Sequence, residues 1–164
     1  MKPSRRHESL IPLSREHHYG LMLCLGIHRG LPKSGDDETW VREAVQAAKF
    51  FDTELTAHFL AEEQALFPAM RDFAGARELL EELIAEHRNL RRIAARLRGS
   101  KHDELKVALG EFADLLESHI RKEERQLFPL YEKKVSIEVD AEVGTAIRNV
   151  IGDAFQPRDL RLLE

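Results

Sequence analysis

Two stretches of this 164-residue chain repeat one arrangement of histidine and glutamate. His58-Phe59-Leu60-Ala61-Glu62-Glu63-Gln64-Ala65-Leu66-Phe67-Pro68 recurs as His119-Ile120-Arg121-Lys122-Glu123-Glu124-Arg125-Gln126-Leu127-Phe128-Pro129. Residues four apart on a helix face the same way, so each copy presents an imidazole and a carboxylate together. A weaker likeness links Glu16-His17-His18 to Glu86-His87-Arg88. Imidazole nitrogen with carboxylate oxygen suits iron, manganese or zinc, whereas calcium takes oxygen alone.

Whether these groups meet depends on which way their helices turn. In the fourth periodic stretch the core-facing series is Leu105, Leu109, Phe112, Leu116, His119, Glu123 and Leu127. In the second it is Val41, Val45, Ala48, Phe51, Leu55, His58, Glu62 and Leu66, and in the third Leu80, Leu83, His87, Leu90, Ala94 and Leu97. The polar residues continue the apolar line, so closure of the core buries them. An uncompensated buried carboxylate costs several kcal/mol and normally neutralises instead, and a second one facing it makes matters worse. A cation between them reverses that balance and favours ionised Glu with neutral His. The competing explanations are a histidine satisfied by a backbone carbonyl, a surface His-Glu pair, or buried pairs that serve only packing specificity. Two copies at equivalent depth, each interrupting a core stripe, favour metal.

The elements that must position these residues read as helices throughout, and no hairpin signal occurs. A first helix is predicted from Ser14, a good N-cap, to near Gly30, followed by a loop over Leu31-Pro32-Lys33-Ser34-Gly35-Asp36. A second should run from about Asp37 to Phe67, where Pro68 interrupts it. A third is closed by Gly99-Ser100, and a fourth reaches from His102-Asp103 to Phe128-Pro129, with room for a further turn after the kink. Ile137 to Ile151 adds a small fifth helix, and the tail from Gly152 has no clear period. The expected fold is all-α, an up-down-up-down antiparallel four-helix bundle with a short C-terminal helical extension. Residues 1–13 form an N-terminal arm, 14–135 the bundle and 136–164 the extension.

Composition narrows the classes. With 43% hydrophobic and 33% charged residues the chain can bury a core, which excludes a disordered chain. Nine glycines and six prolines argue against turn-dense all-β designs. A formal net charge of -4 gives little attraction for nucleic acid. No apolar run approaches the ~18 residues of a membrane span, and the charged start lacks the apolar segment of an export signal. The single cysteine, Cys24, has no partner for an internal disulfide and reads as a buried small apolar residue. A cytoplasmic location is expected.

At these residues the chain resembles the hemerythrin-like family, the HHE cation-binding domains. The resemblance runs from about Ser14 to Lys134 and rests on the doubled His-x-x-x-Glu-Glu run ending in Leu-Phe-Pro, with Glu-His-x-x-Leu at Glu86 to Leu90. It implies a four-helix bundle around a non-haem, carboxylate-bridged di-iron centre that binds O2, senses oxygen or iron, or handles nitric oxide and peroxide. Carried over, the ligands are His58 and Glu62, His87, and His119 and Glu123. From the first helix His18 is chosen, because His18-Leu21-Leu25 reproduces His87-Leu90-Ala94; His17 is the alternative, since Glu16-His17 matches Glu86-His87. Zinc or manganese could replace iron.

The chain departs from the oxygen carriers at one place: Arg91 stands where they put a fifth histidine. Two bridging glutamates, four histidines and a bridging oxygen fill about ten of roughly twelve positions in two octahedra. One position per metal then stays open, which suits sensing or oxygen, peroxide or nitric oxide chemistry better than simple storage. The alternatives are a di-iron enzyme acting on nitric oxide or peroxide or in iron–sulfur repair, and a single-zinc or metal-free helical interaction module. Repair proteins of this kind carry a cysteine-bearing N-terminal segment, which the short arm lacks. The expected partner is a small ligand such as O2, NO or peroxide, with no nucleic acid or membrane, and the chain a monomer or homodimer.

Glu63, Glu124 and Glu86 lie about 100° off the ligand stripe and read as surface charge, with contact to a histidine N–H as the alternative. Tyr19 and Tyr131 read as packing residues, although either could donate to a bound oxygen species. Phe67-Pro68 and Phe128-Pro129 should close the apolar shell. The run Arg88, Arg91, Arg92, Arg96 and Arg98 reads as a solvated helix face, and His7, His28 and His102 receive no role.

Overall fold

A computed structural model describes residues 6–30, 37–99 and 101–152. The expected loop at 31–36 and the tail beyond Gly152 lie outside the described residues. Every element among the described residues is helical, with no strand. A 3-10 turn, Glu8–Leu10, leads into α1 (Ile11–Gly30), which therefore starts three residues before the expected cap at Ser14. α2 (Asp37–Phe50) continues through a π turn (Phe51–Leu55), α3 (Thr56–Ala61), a second π turn (Glu62–Leu66) and α4 (Phe67–Met70). α5 spans Arg77–Gly99. α6 (His102–Lys122) runs through a π turn (Glu123–Leu127) into α7 (Phe128–Lys134), and α8 spans Ile137–Ile151. Residues 11–30, 37–70, 77–99 and 102–134 are thus four long rods.

Pro68 does not end the second rod, as the sequence had suggested. A proline ring clashes with the carbonyl four residues back and offers no N–H. The π turn immediately before each Phe-Pro pair widens the helix there, and helical backbone continues past Pro68 and Pro129. In the π turn at 51–55 the Thr56 hydroxyl donates to the Phe51 carbonyl at 3.0 Å. Between the second and third rods the chain turns at Gly75, whose φ of 85° is in the left-handed region that favours glycine.

α1 packs on α6, α5 on α6, and α2 on both α5 and α6. α8 lies against the 3-10 turn, α3 and the π turn at 62–66. Its N-cap is Ser136, whose hydroxyl accepts from the Val139 amide at 3.3 Å. Two apolar blocks form the core. One holds Trp40, Phe51, Leu55, Phe59, Leu90, Phe112, Leu116 and Ile120, and the other Leu10, Leu13, Leu66, Leu83, Leu127, Phe128, Tyr131 and Ile147. Along each rod the buried polar residues fall between the two blocks: Glu16 and His17, His58 and Glu62, His87, then His119 and Glu123. Val41 and Val45, assigned to the core stripe, are exposed at 41% and 60%, and Trp40, Ala44 and Ala47 are buried instead. The π turn at 51–55 carries one extra residue, so an α-helical count back from His58 overshoots by one. No helix among the described residues is long and apolar enough to cross a membrane.

Candidate metal centre

Six side chains meet in the polar layer as two overlapping groups. His17, His58, Glu62 and Glu123 form one, and Glu62, His87, His119 and Glu123 the other. The two glutamates belong to both. Each carboxylate reaches across: Glu62 Oε1 is 3.2 Å from His58 Nε2 while its Oε2 is 3.3 Å from His87 Nε2. Glu123 Oε2 is 3.0 Å from His17 Nε2 and its Oε1 3.2 Å from His119 Nε2. All six side chains are buried, with exposures of 3% or less.

The first rod corrects the expectation. His17 enters the cluster, whereas His18 is exposed and outside it, its ring packed edge-on against Tyr19. The other five expected residues, His58, Glu62, His87, His119 and Glu123, come together.

The outer nitrogens were only half read from the sequence. Every Nδ1 faces a carboxylate on a neighbouring rod: His58 faces Glu16 at 2.6 Å, His87 faces Glu63 at 2.7 Å, and His119 and His17 face Glu86 and Glu124 at 2.8 Å. Glu63, Glu86 and Glu124 are therefore imidazole partners rather than surface charge. Glu16 was missed altogether in this role. The four contacts tie first rod to second, second to third, third to fourth and fourth back to first, closing a belt.

An ionised carboxylate only accepts hydrogen bonds, so each Nδ1 carries the proton and donates. When Nε2 is deprotonated, as metal binding requires, each imidazole aims that lone pair inward. His17 Nε2 and His58 Nε2 stand 3.1 Å apart, and His87 Nε2 and His119 Nε2 3.2 Å. All four oxygens of Glu62 and Glu123 are buried without a hydrogen-bond partner. Opposed lone pairs beside unpartnered anionic oxygens are repulsive unless a cation lies among them. The donor set fits a pair of metal ions.

Protons are the other available cations, and the electrostatics show it. Burial pushes the imidazoles of His58 and His119 down. For His58 the charge of Glu62 and the bond to Glu16 outweigh that and hold it well above its ordinary value. For His119 the charge of Glu123 dominates and the value is pushed up to about 10. Burial lowers His17 as well, but the neighbouring carboxylates of Glu123 and Glu124 outweigh it and raise the value. Burial likewise pushes Glu123 up, but His119 and His17 hold it well below the usual carboxylate range.

This geometry agrees with comparison to known proteins, where residues 12–131 match the hemerythrin HHE cation-binding domain. The chain belongs to that family. A DNA nickase from Nostoc sp. (strain PCC 7120 / SAG 25.82 / UTEX 2576) is 30% identical over 97 residues, 58% of this chain. This HHE chain spans only 27% of that relative's length. No solved structure matches it.

The walls of the HHE centre are aromatic. His87 is stacked between Phe59, at 3.8 Å between centroids, and Phe67, at 5.6 Å. His17 stacks on Phe128 at 5.3 Å. Arg91, in place of a further histidine, donates to Glu63 at 3.0 Å and lies over the Phe59 ring. Arg6 pairs with Glu124 and lies over Phe128 in the same manner. Tyr131 is fully buried and donates to Asp140 at 3.0 Å, away from the inner donors. Burial pushes the Cys24 thiol up to about 12, which leaves it unreactive.

Proposed function

We propose that this chain is a metal-binding protein holding a non-haem, carboxylate-bridged di-iron centre. In this reading His17 and His58 serve one iron, His87 and His119 the other, and Glu62 and Glu123 bridge them. The observation that carries it is the set of four buried, unpartnered carboxylate oxygens facing four imidazole Nε2 atoms. The mixed nitrogen and oxygen donors favour iron, with manganese or zinc as competitors. We place the centre in an up-down-up-down antiparallel four-helix bundle, a reading supported by the short link at residues 71–76 between the second and third rods.

Bound iron supplies open coordination positions and a redox couple to a small ligand such as O2, nitric oxide or peroxide. The chain's own residues orient the imidazoles through Glu16, Glu63, Glu86 and Glu124. They exclude bulk water with Phe59, Phe67 and Phe128. Access favours the His17 side, where a surface groove is lined by Arg6, Ser14, His17, His18, Tyr19 and Glu124. The role that follows is oxygen or iron sensing, or binding of such a ligand, in the cytoplasm.

Nicking of DNA is not carried over from the partial relative. Three of the five arginines in that run, Arg91, Arg96 and Arg98, pair with Glu63, Glu111 and Asp52, which offsets their charge as a basic face. Iron-loaded protein should change its optical spectrum when an anaerobic sample meets O2 or nitric oxide. A spectrum indifferent to O2, nitric oxide and peroxide alike would refute a ligand-binding role.

A further inference from the structure

The belt of outer carboxylates is complete, but its members are not equivalent. Glu124 is paired with Arg6, Glu63 with Arg91, and Glu86 with Lys122. Glu16 is the most buried of the four, 4% exposed, and no Lys or Arg among the described residues pairs with it. Its bond to His58 is also the shortest of the four. We propose that Glu16, Glu63, Glu86 and Glu124 are positioning residues that tune the bound metals toward their higher oxidation state, with Glu16 the dominant one. This rests on the di-iron reading above.

The physical reason lies in the hydrogen bond each carboxylate accepts. It fixes the tautomer with the proton on Nδ1, and it draws that proton outward, which makes Nε2 a stronger donor. A stronger donor stabilises the more highly charged ion more than the less charged one. A neighbouring guanidinium or ammonium offsets the carboxylate's field, and burial strengthens what is left uncovered. Three members are offset in this way. Glu16 therefore contributes the largest share.

The test uses the full chain loaded with iron, compared with E16Q, E63Q, E86Q and E124Q, with the exposed E78Q as control. Glutamine keeps a carbonyl to accept from Nδ1–H, so orientation survives while the charge is lost. Iron content and midpoint potential are measured by elemental analysis and spectroelectrochemical titration. Iron content should stay near that of the parent, and the potential should rise in all four belt variants, most in E16Q. There the ferric-over-ferrous binding preference should fall roughly tenfold or more. R91Q, which uncovers Glu63 at an exposed position, should move the potential the opposite way and stands even if a buried variant fails to fold. An E16Q potential no further from the parent than that of E78Q, or an upward shift in R91Q, overturns the proposal. A parent chain that takes up no iron overturns the di-iron reading itself, and the two failures are thereby distinguished.

Discussion

The His17–His58 and His87–His119 halves of the centre arise from one repeated pattern, yet their walls differ. On the second half, Phe59 and Phe67 close on both faces of His87. In the repeat, Phe67 corresponds to Phe128, which stacks on His17, but Phe59 corresponds to Ile120. Ile120 is instead pressed against the first rod at Gly20, where an added Cβ would lie 2.8 Å from Ile120 Cδ1. One imidazole is thus held between two rings, whereas the other has one ring and borders a surface groove. The lesson is that the shared carboxylates can keep the inner donors symmetric while single substitutions in the outer wall make access unequal.

The largest expected effect removes what the halves share. Glu62→Ala or Glu123→Ala deletes a carboxylate common to both groups, so metal content should fall from about two per chain toward zero, with loss of the thermal stabilisation that metal confers. Elemental analysis and melting with and without added iron check this. Retained iron in both variants would break the equivalence of the halves. Next in size, His17→Ala should lose metal from the first half, while His18→Ala should retain the parent's content. The reverse result would restore the residue that apolar spacing selected.

A smaller, graded effect is expected with pH in the metal-free protein. The raised values of His58 and His119 give a stabilisation that is complete below the ordinary imidazole value of 6.5 and lost as pH rises, for His119 through about 10. Metal must displace those protons, so its affinity should climb over the same range and proton release should accompany loading. Denaturant melts of metal-free protein from pH 6 to 10 and pH-stat titration with iron measure both. The smallest effect concerns the open half alone. Ser14 donates to Glu124 at 2.7 Å, and Ser14→Ala should cost about 0.5–1.5 kcal/mol. Its metal content should not change.

Much of this was legible in the sequence, and the misses have physical causes. The third rod and α8 fall where spacing and caps placed them, and the fourth starts at His102 as expected but runs past Pro129 to Lys134. On the second rod a π turn shifted the upstream face by one residue, and no residue type in Phe51 to Leu55 announces such a turn. On the first rod the spacing of Leu21 and Leu25 points to His18, but Leu25 is 41% exposed. The buried face runs through Leu10, Leu13, His17, Cys24 and Ile27, in register with Leu80, Leu83, His87, Ala94 and Leu97. Gly20 interrupts that face at the position that corresponds to Leu90, so an apolar count misses the register. The belt glutamates were misread because a 100° rotation leads to solvent on a lone helix, whereas in a packed one it leads to the neighbouring helix.

The most direct test is the metal content of the purified full chain after loading with ferrous iron, determined by elemental analysis against protein concentration. About two irons per chain are expected, reduced to none when Glu62 or Glu123 is replaced by Ala. A chain that remains free of metal, or binds a single ion indifferent to both replacements, would contradict the di-iron reading.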